Sequence, residues 1–172
     1  SMSSATTARQ KILRVFEIAQ SVLTWEAVLA NDSYSCAFGP DGQVACGDSH
    51  VVRVWNATAQ RKLAAESDDA PVRDLDTSVK LVGHRAAVRA VAWAGDTSAA
   101  PAAITVRRLL ASSSADETVR IWDVDTGTCI SVLAPGGVGT AEEVVSLCFD
   151  LSGRLLTASS DKTLRLWSFD EV

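Results

Sequence analysis

The sequence predicts an all-β chain built from repeated small antiparallel sheets, and three observations carry that prediction. Leu110 to Asp123 reads L-A-S-S-S-A-D-E-T-V-R-I-W-D, and Leu156 to Ser168 nearly repeats it as L-T-A-S-S-D-K-T-L-R-L-W-S. In both segments a small hydroxyl residue stands ten positions before a Trp and an Asp six before it, a spacing suited to two paired strands joined by a tight turn. The aromatic anchors Phe16, Trp55, Trp122 and Trp167 follow one another at intervals of 39, 67 and 45 residues. Two of these intervals match one four-stranded repeat, and the long one implies about 20 inserted residues.

Weaker copies complete the pattern. Ala45 to Asn56 keeps the Trp but has Ser49 where the Asp belongs, and Ala5 to Glu17 keeps Thr6 while substituting Gln10 and Phe16. Alternating apolar residues between turn signals place strands at 5–8, 12–18 and 22–29 in the first unit. The second unit takes 34–38, 44–47, 51–55 and 79–82, with 61–65 as the alternative for its last strand. The third takes 88–93, 108–113, 118–122 and 129–133, and the fourth takes 144–149, 155–158 and 163–167.

Gly83-His84 ahead of the third unit, and Val88, Val91 and Trp93 matched by Val144, Leu147 and Phe149 in the fourth, complete a resemblance to the WD-repeat β-propeller family. The resemblance implies blades of four antiparallel strands, a to d, around a central channel. It divides the chain into a partial blade at 3–31 (strands b, c and d), a blade at 32–82 with a c–d insertion at 57–78, a blade at 83–133 with an a–b insertion at 94–105, and a partial blade at 134–172 (strands a, b and c). Ser1-Met2 reads as an expression scar. About three to four blades, cut at both ends, make an incomplete ring, which leaves three explanations: a piece of a longer polypeptide, completion by copies of itself, or a closed miniature.

Composition sets further limits. The 172 residues are 47% apolar, which excludes a disordered chain, and the net charge of −5 argues against a nucleic-acid partner, because phosphate binding needs clustered Lys and Arg. Arg14, Arg53, Arg120 and Arg165 recur two residues before each anchor aromatic and read as solvated strand-edge residues with snorkelling stems. No apolar run approaches the roughly 18 to 20 residues that span a bilayer, and no leader precedes the first strand, so an intracellular location, cytoplasm or nucleus, is expected with no membrane contact. Cys36, Cys46, Cys129 and Cys148 fall in strands without zinc-site spacing and read as buried thiols in a reducing compartment. Cys36 and Cys46 flank the turn 39–42 almost symmetrically, which would set them opposite each other across a hairpin, where a redox-sensitive disulfide is conceivable.

By the resemblance, the loop His, the strand b Ser or Thr, the turn Asp and the strand c Trp form one hydrogen-bonded chain inside a blade. Only the third unit carries all four, as His84, Ser112, Asp116 and Trp122; the fourth retains Thr157, Asp161 and Trp167, and the second retains Trp55. Ser, His and Asp together suggest a hydrolase. A nucleophile held inside a blade and bonded to Trp does not fit that reading, and the chain has no G-x-S-x-G elbow, since Gly47-Asp48-Ser49-His50 lacks the second Gly. Asp161-Lys162-Thr163 continues as Leu164-Arg165, unlike an aspartyl-phosphate motif, and Gly136-Gly137-Val138-Gly139 lacks the Lys and hydroxyl residue of a phosphate cradle. No catalytic residue, cofactor or metal is expected.

The resemblance places function on the flat faces of the ring. The residues just before the turn Asp positions, Arg9, Asp48, Ala115 and Ser160, with Arg85 and Arg89, are the candidates to meet a protein or peptide partner. The insertion at 57–78 holds Glu66, Asp68, Asp69, Asp74 and Asp76 and offers an acidic docking surface for a basic partner, or solvated disorder. The Trp-Asp-x-Arg motif common in propellers that serve ubiquitin ligases is missing at Trp55, Trp122 and Trp167. The expected function is a noncatalytic protein–protein interaction scaffold. The alternative is an accessory domain of a larger enzyme, ribonucleoprotein or ubiquitin-ligase assembly.

Overall fold

In a computed structural model, which describes residues 11–17, 22–39, 42–56, 78–94, 108–137 and 139–169, thirteen strands form four antiparallel sheets in chain order. Strands β1 (Lys11–Glu17) and β2 (Val22–Leu29) pair as the first sheet. The second is β3 (Cys36–Phe38), β4 (Gln43–Asp48), β5 (Val51–Asn56) and β6 (Val79–Val82), each hydrogen-bonded to the next. The third is β7 (Val88–Trp93), β8 (Leu109–Ser114), β9 (Val119–Asp123) and β10 (Thr128–Leu133), and the fourth is β11 (Val144–Phe149), β12 (Leu155–Ser159) and β13 (Leu164–Trp167). No α-helix occurs among the described residues. The molecule is an all-β, incomplete β-propeller.

The last strand of the second sheet is β6, paired with β5 from Val51↔Val82 to Val54↔Val79. The strand proposed at 5–8, the alternative at 61–65 and nearly all of both insertions lie outside the described residues. β3 starts two residues later than the sequence suggests, because side chains fasten the segment before it. The Asn31 N–H donates to Asp48 Oδ1 at 2.8 Å and the Ser33 hydroxyl donates to the Ser35 carbonyl at 3.3 Å, while Ser35 itself still accepts the Gly47 N–H at 3.2 Å at the end of the ladder. β8 likewise starts after Arg108, whose guanidinium is turned to Asp125.

Apolar layers lie between consecutive sheets, and the two-residue period of each strand divides its side chains between the layers. Ala27 and Leu29 meet Val44, Cys46 and Trp55 between the first and second sheets. Val52, Val54 and Leu81 meet Val88, Val91, Leu110 and Trp122 between the second and third. On β9 the intervening residues Val119 and Ile121 point the other way, toward Val144, Leu147 and Leu155 of the fourth sheet. Each anchor Trp therefore faces the preceding sheet. Trp55 and Trp122 are each 1% exposed, and burying such a ring contributes about 4 to 6 kcal/mol before opposing costs.

The inner strands touch across these layers, β3 with β7 and β7 with β11. Contact between the second and third sheets is close enough to require glycine. A Cβ on Gly39 would lie 2.4 Å from the Trp93 ring, whose indole N–H donates to the Ala37 carbonyl at 3.2 Å. The fourth sheet covers one face only. On its other face Val145, Leu164 and Leu166 are 53%, 70% and 55% exposed.

Candidate functional site

Donor chemistry fixes the direction of the bonds inside the third sheet. The Trp122 indole can only donate, so its Nε1–H goes to Ser112 Oγ at 2.7 Å. Ser112 then gives its own proton to His84 Nε2 at 2.8 Å, which leaves the His84 proton on Nδ1, donated to Asp116 Oδ2 at 3.0 Å. The tautomer follows from the partners. Burial pushes the His84 pKa below its ordinary 6.5, although Asp116 works against that direction, and the ring is neutral at neutral pH. Asp116 is ionised. Burial raises its pKa, but the Thr118 hydroxyl, the Arg85 N–H and His84 outweigh that and lower it to about 2. The Gly83-His84 pairing has a steric reason, because a Cβ on Gly83 would lie 2.8 Å from the Arg120 guanidinium and 3.1 Å from the Trp122 ring.

This bond order from Ser to His to Asp is the one hydrolytic triads use. Here Ser112 is 0% exposed and its oxygen is already committed to Trp122, so no reacting carbonyl can approach it.

The fourth sheet solves the same problem without a histidine. The Trp167 indole donates to Thr157 Oγ1 at 3.1 Å, and the Thr157 hydroxyl donates to the Arg165 carbonyl at 3.4 Å. Asp161 accepts from Thr163 and from the Arg165 guanidinium at 2.6 Å, and these donors hold its carboxyl well below the ordinary carboxylate range. In the second sheet the position ten before Trp55 is Ala45, so this arrangement has no hydroxyl there. Trp55 is covered by the Arg53 guanidinium, 5.5 Å from its ring centre.

Three of the recurring arginines, Arg53, Arg120 and Arg165, thus depart from the solvated-edge expectation, while the side chain of Arg14 lies outside what the structure describes. Arg53 and Arg120 lie over the tryptophans of their own strands, and Arg165 is bound to its turn aspartate. The cysteine expectation is also corrected: only Cys46 is buried, while Cys36 and Cys148 are exposed and Cys129 is half-buried, because a sulfur at a sheet rim or on the open face of the fourth sheet has no covering layer.

The partner candidates separate. Asp48 is corrected: it is 6% exposed, accepts backbone N–H groups from Asn31 and Ala30, and lies 3.7 Å from Arg53, so it fastens the segment after β2 instead of facing a partner. Arg9 lies outside the described residues. Arg85 has an exposed side chain, while its N–H is bound to Asp116. Ser160 is exposed, but its hydroxyl accepts the Glu143 N–H at 2.9 Å, and Ala115 is half-buried.

Arg89 belongs to a larger group that the sequence did not reveal. It bonds Glu143 at 2.7 Å, and its guanidinium lies 5.1 Å from the ring centre of Tyr34, which is 60% exposed. Tyr34 precedes β3, Arg89 is in β7 and Glu143 precedes β11, so one line of contacts crosses three consecutive sheets. No repeat signal marks Tyr34 or Glu143. Thr118 and Thr163 did carry a signal, since both stand two residues after the turn Asp and both donate to it.

The family model described as "WD domain, G-beta repeat" matches residues 26–56, 75–123 and 127–168, and the chain belongs to this WD-repeat family. Its members are typically protein-interaction scaffolds and generally noncatalytic. Among its relatives are a guanine nucleotide-binding protein subunit beta of Oryza sativa subsp. indica, 29% identical over 85% of this chain and 38% of that protein, and the Polycomb group protein FIE1 of Zea mays, 31% identical over 74% of this chain and 23% of that protein. A third is the nuclear distribution protein PAC1-2 of Uncinocarpus reesii, 40% identical over 51% of this chain and 18% of that protein. The chain spans less than two fifths of the length of each.

Proposed function

We propose that this chain is a noncatalytic scaffold whose interaction surface is the face carrying the segments that enter β3, β7 and β11 and the turns β8–β9 and β12–β13. The observation that carries this reading is the Tyr34–Arg89–Glu143 line. An exposed aromatic ring and a guanidinium held beside it, continuous over three sheets, are the kinds of side chain on which protein interfaces concentrate their affinity. Arg85, Ala115 and Ser160 belong to the same face. Beneath it, the bonds joining His84, Ser112, Asp116 and Trp122 keep the loop before β7 and the β8–β9 turn in fixed relation, which gives a partner a preorganised surface.

The occupant is a protein or a peptide, and its contacts take place in the cytoplasm or nucleus. Relatives named as a G-protein subunit and as a Polycomb group protein support service within a larger assembly. The apolar open face at Val145, Leu164 and Leu166 supports completion of the ring by further blades, because an open propeller leaves such a face in water.

Photo-cross-linking residues placed at 85 and 160, and at 126 and 152 in the β9–β10 and β11–β12 turns of the opposite face, test the reading. Adducts to a partner should form at the first two positions. Adducts confined to the second two would overturn it.

A further inference from the structure

Cys36 and Cys46 are register partners across the β3–β4 hairpin. Gly39 N–H bonds the Gln43 carbonyl at 2.8 Å and Gly47 N–H bonds the Ser35 carbonyl at 3.2 Å, which marks those pairs as the hydrogen-bonded ones on this ladder. Alternation then makes Cys36 and Cys46 a non-hydrogen-bonded pair, with side chains on one face and Cα atoms about 4.5 Å apart. That spacing falls within the range of about 4.4 to 6.8 Å that a disulfide spans. The two thiols differ in character. Cys36 is exposed, whereas Cys46 is 0% exposed and lies 2.8 Å from the Ser33 hydroxyl.

We propose that Cys36 and Cys46 form a thiol–disulfide redox site whose oxidant is a small-molecule disulfide of the glutathione type. Cys36 loses its proton to solvent, and its sulfur attacks one sulfur of oxidised glutathione; the S–S bond breaks and one glutathione thiolate leaves, giving a mixed disulfide on Cys36. Cys46 then loses its proton, attacks the Cys36 sulfur and expels the second glutathione. Two protein thiols are oxidised to one disulfide, and one oxidised glutathione is reduced to two thiols. Exposure gives Cys36 the entry step, because the oxidant must reach it from solvent. The resolving step is slow, because burial raises the Cys46 thiol to about 11. Oxidation also removes the Cys46 contact with Ser33, and so loosens the segment between β2 and β3. The site stands independently of any partner.

Both cysteines fall on one tryptic peptide, since no Lys or Arg lies between Arg14 and Arg53. The full chain is equilibrated with reduced or oxidised glutathione, alkylated, digested and weighed, with gel filtration of the intact protein. In oxidised glutathione, more than about half of this peptide should lose two hydrogens and both alkyl labels, against less than about a tenth in reduced glutathione, without dimer formation. Cys46→Ser should accumulate the glutathione adduct at Cys36, and Cys36→Ser should leave Cys46 unmodified. A wild-type chain that keeps the glutathione adduct on Cys36 without closing the internal link, or that oxidises only into dimers, would overturn the proposal.

Discussion

Arg165 places its guanidinium 2.6 Å from Asp161 Oδ2, at the turn carboxylate whose counterpart in the third sheet, Asp116, is met by His84. Where a histidine fills the carboxylate, the arginine two residues before the Trp turns onto the ring instead, as Arg120 does 5.9 Å from the centre of Trp122. The same repeat position thus serves two purposes, and the neighbouring loop decides which. The buried version has more at stake. His84→Ala leaves the buried Ser112 hydroxyl without its acceptor and takes one of several donors from Asp116, which keeps those of Thr118 and Arg85, and should lower stability by about 1 to 3 kcal/mol. Arg165→Ala breaks a half-buried pair whose arginine still reaches solvent, and should shift the urea midpoint by less than half as much. Equal midpoints for the two variants would contradict this ordering.

Stability should depend on pH through His84. Its folded pKa lies below 6.5, so as pH falls past 6.5 the unfolded chain binds a proton that the folded chain does not, and stability declines toward the folded pKa. Above that window the contribution is fully present. Asp116 adds a second decline as pH falls from 3.8 toward about 2. Urea melts between pH 8 and 5 should show the first decline in the wild type and in His50→Gln, and its loss in His84→Gln. A decline that survives in His84→Gln would assign it elsewhere.

Gly39→Ala drives a methyl group into the Trp93 ring at the layer between the second and third sheets. Overpacking of this kind costs on the order of 1 to 3 kcal/mol, and the melting midpoint should fall accordingly. Retention of the wild-type midpoint would mean that these sheets separate more easily than their contacts imply.

Lys162 holds a left-handed backbone with φ of 69° in the turn after β12, and its side chain is exposed. Lys162→Gly should therefore raise stability, by about 1 kcal/mol. Glu117 has the same backbone at φ 67°, but its carboxylate accepts the N–H groups of Gly139 and Ala141. Glu117→Gly relieves one strain and loses two bonds, so thermal melts should show a smaller gain than for Lys162→Gly.

The repeat made most of the architecture legible in advance. Trp122 and Trp167 with their hydroxyl and Asp partners define a hairpin by spacing alone, and the alternation on β9 assigns each side chain to a layer. Contacts between units were not legible, because no spacing rule reports them. Tyr34 on Arg89 and Arg89 on Glu143 join residues 55 and 54 positions apart on different sheets. Asp48 was misplaced for a related reason. Its position in the repeat suggested an outward turn, but the backbone N–H groups of Ala30 and Asn31 needed an acceptor, and the Asp48 carboxylate supplied it.

The most direct measurement compares the affinity of a cross-linked and identified partner for the wild type and for Tyr34→Ala, with urea midpoints recorded on both. Binding should be at least about tenfold weaker in Tyr34→Ala with an unchanged midpoint, since the ring is 60% exposed and projects from the surface. Unchanged affinity in a folded Tyr34→Ala chain would contradict the claim that this face grips the partner.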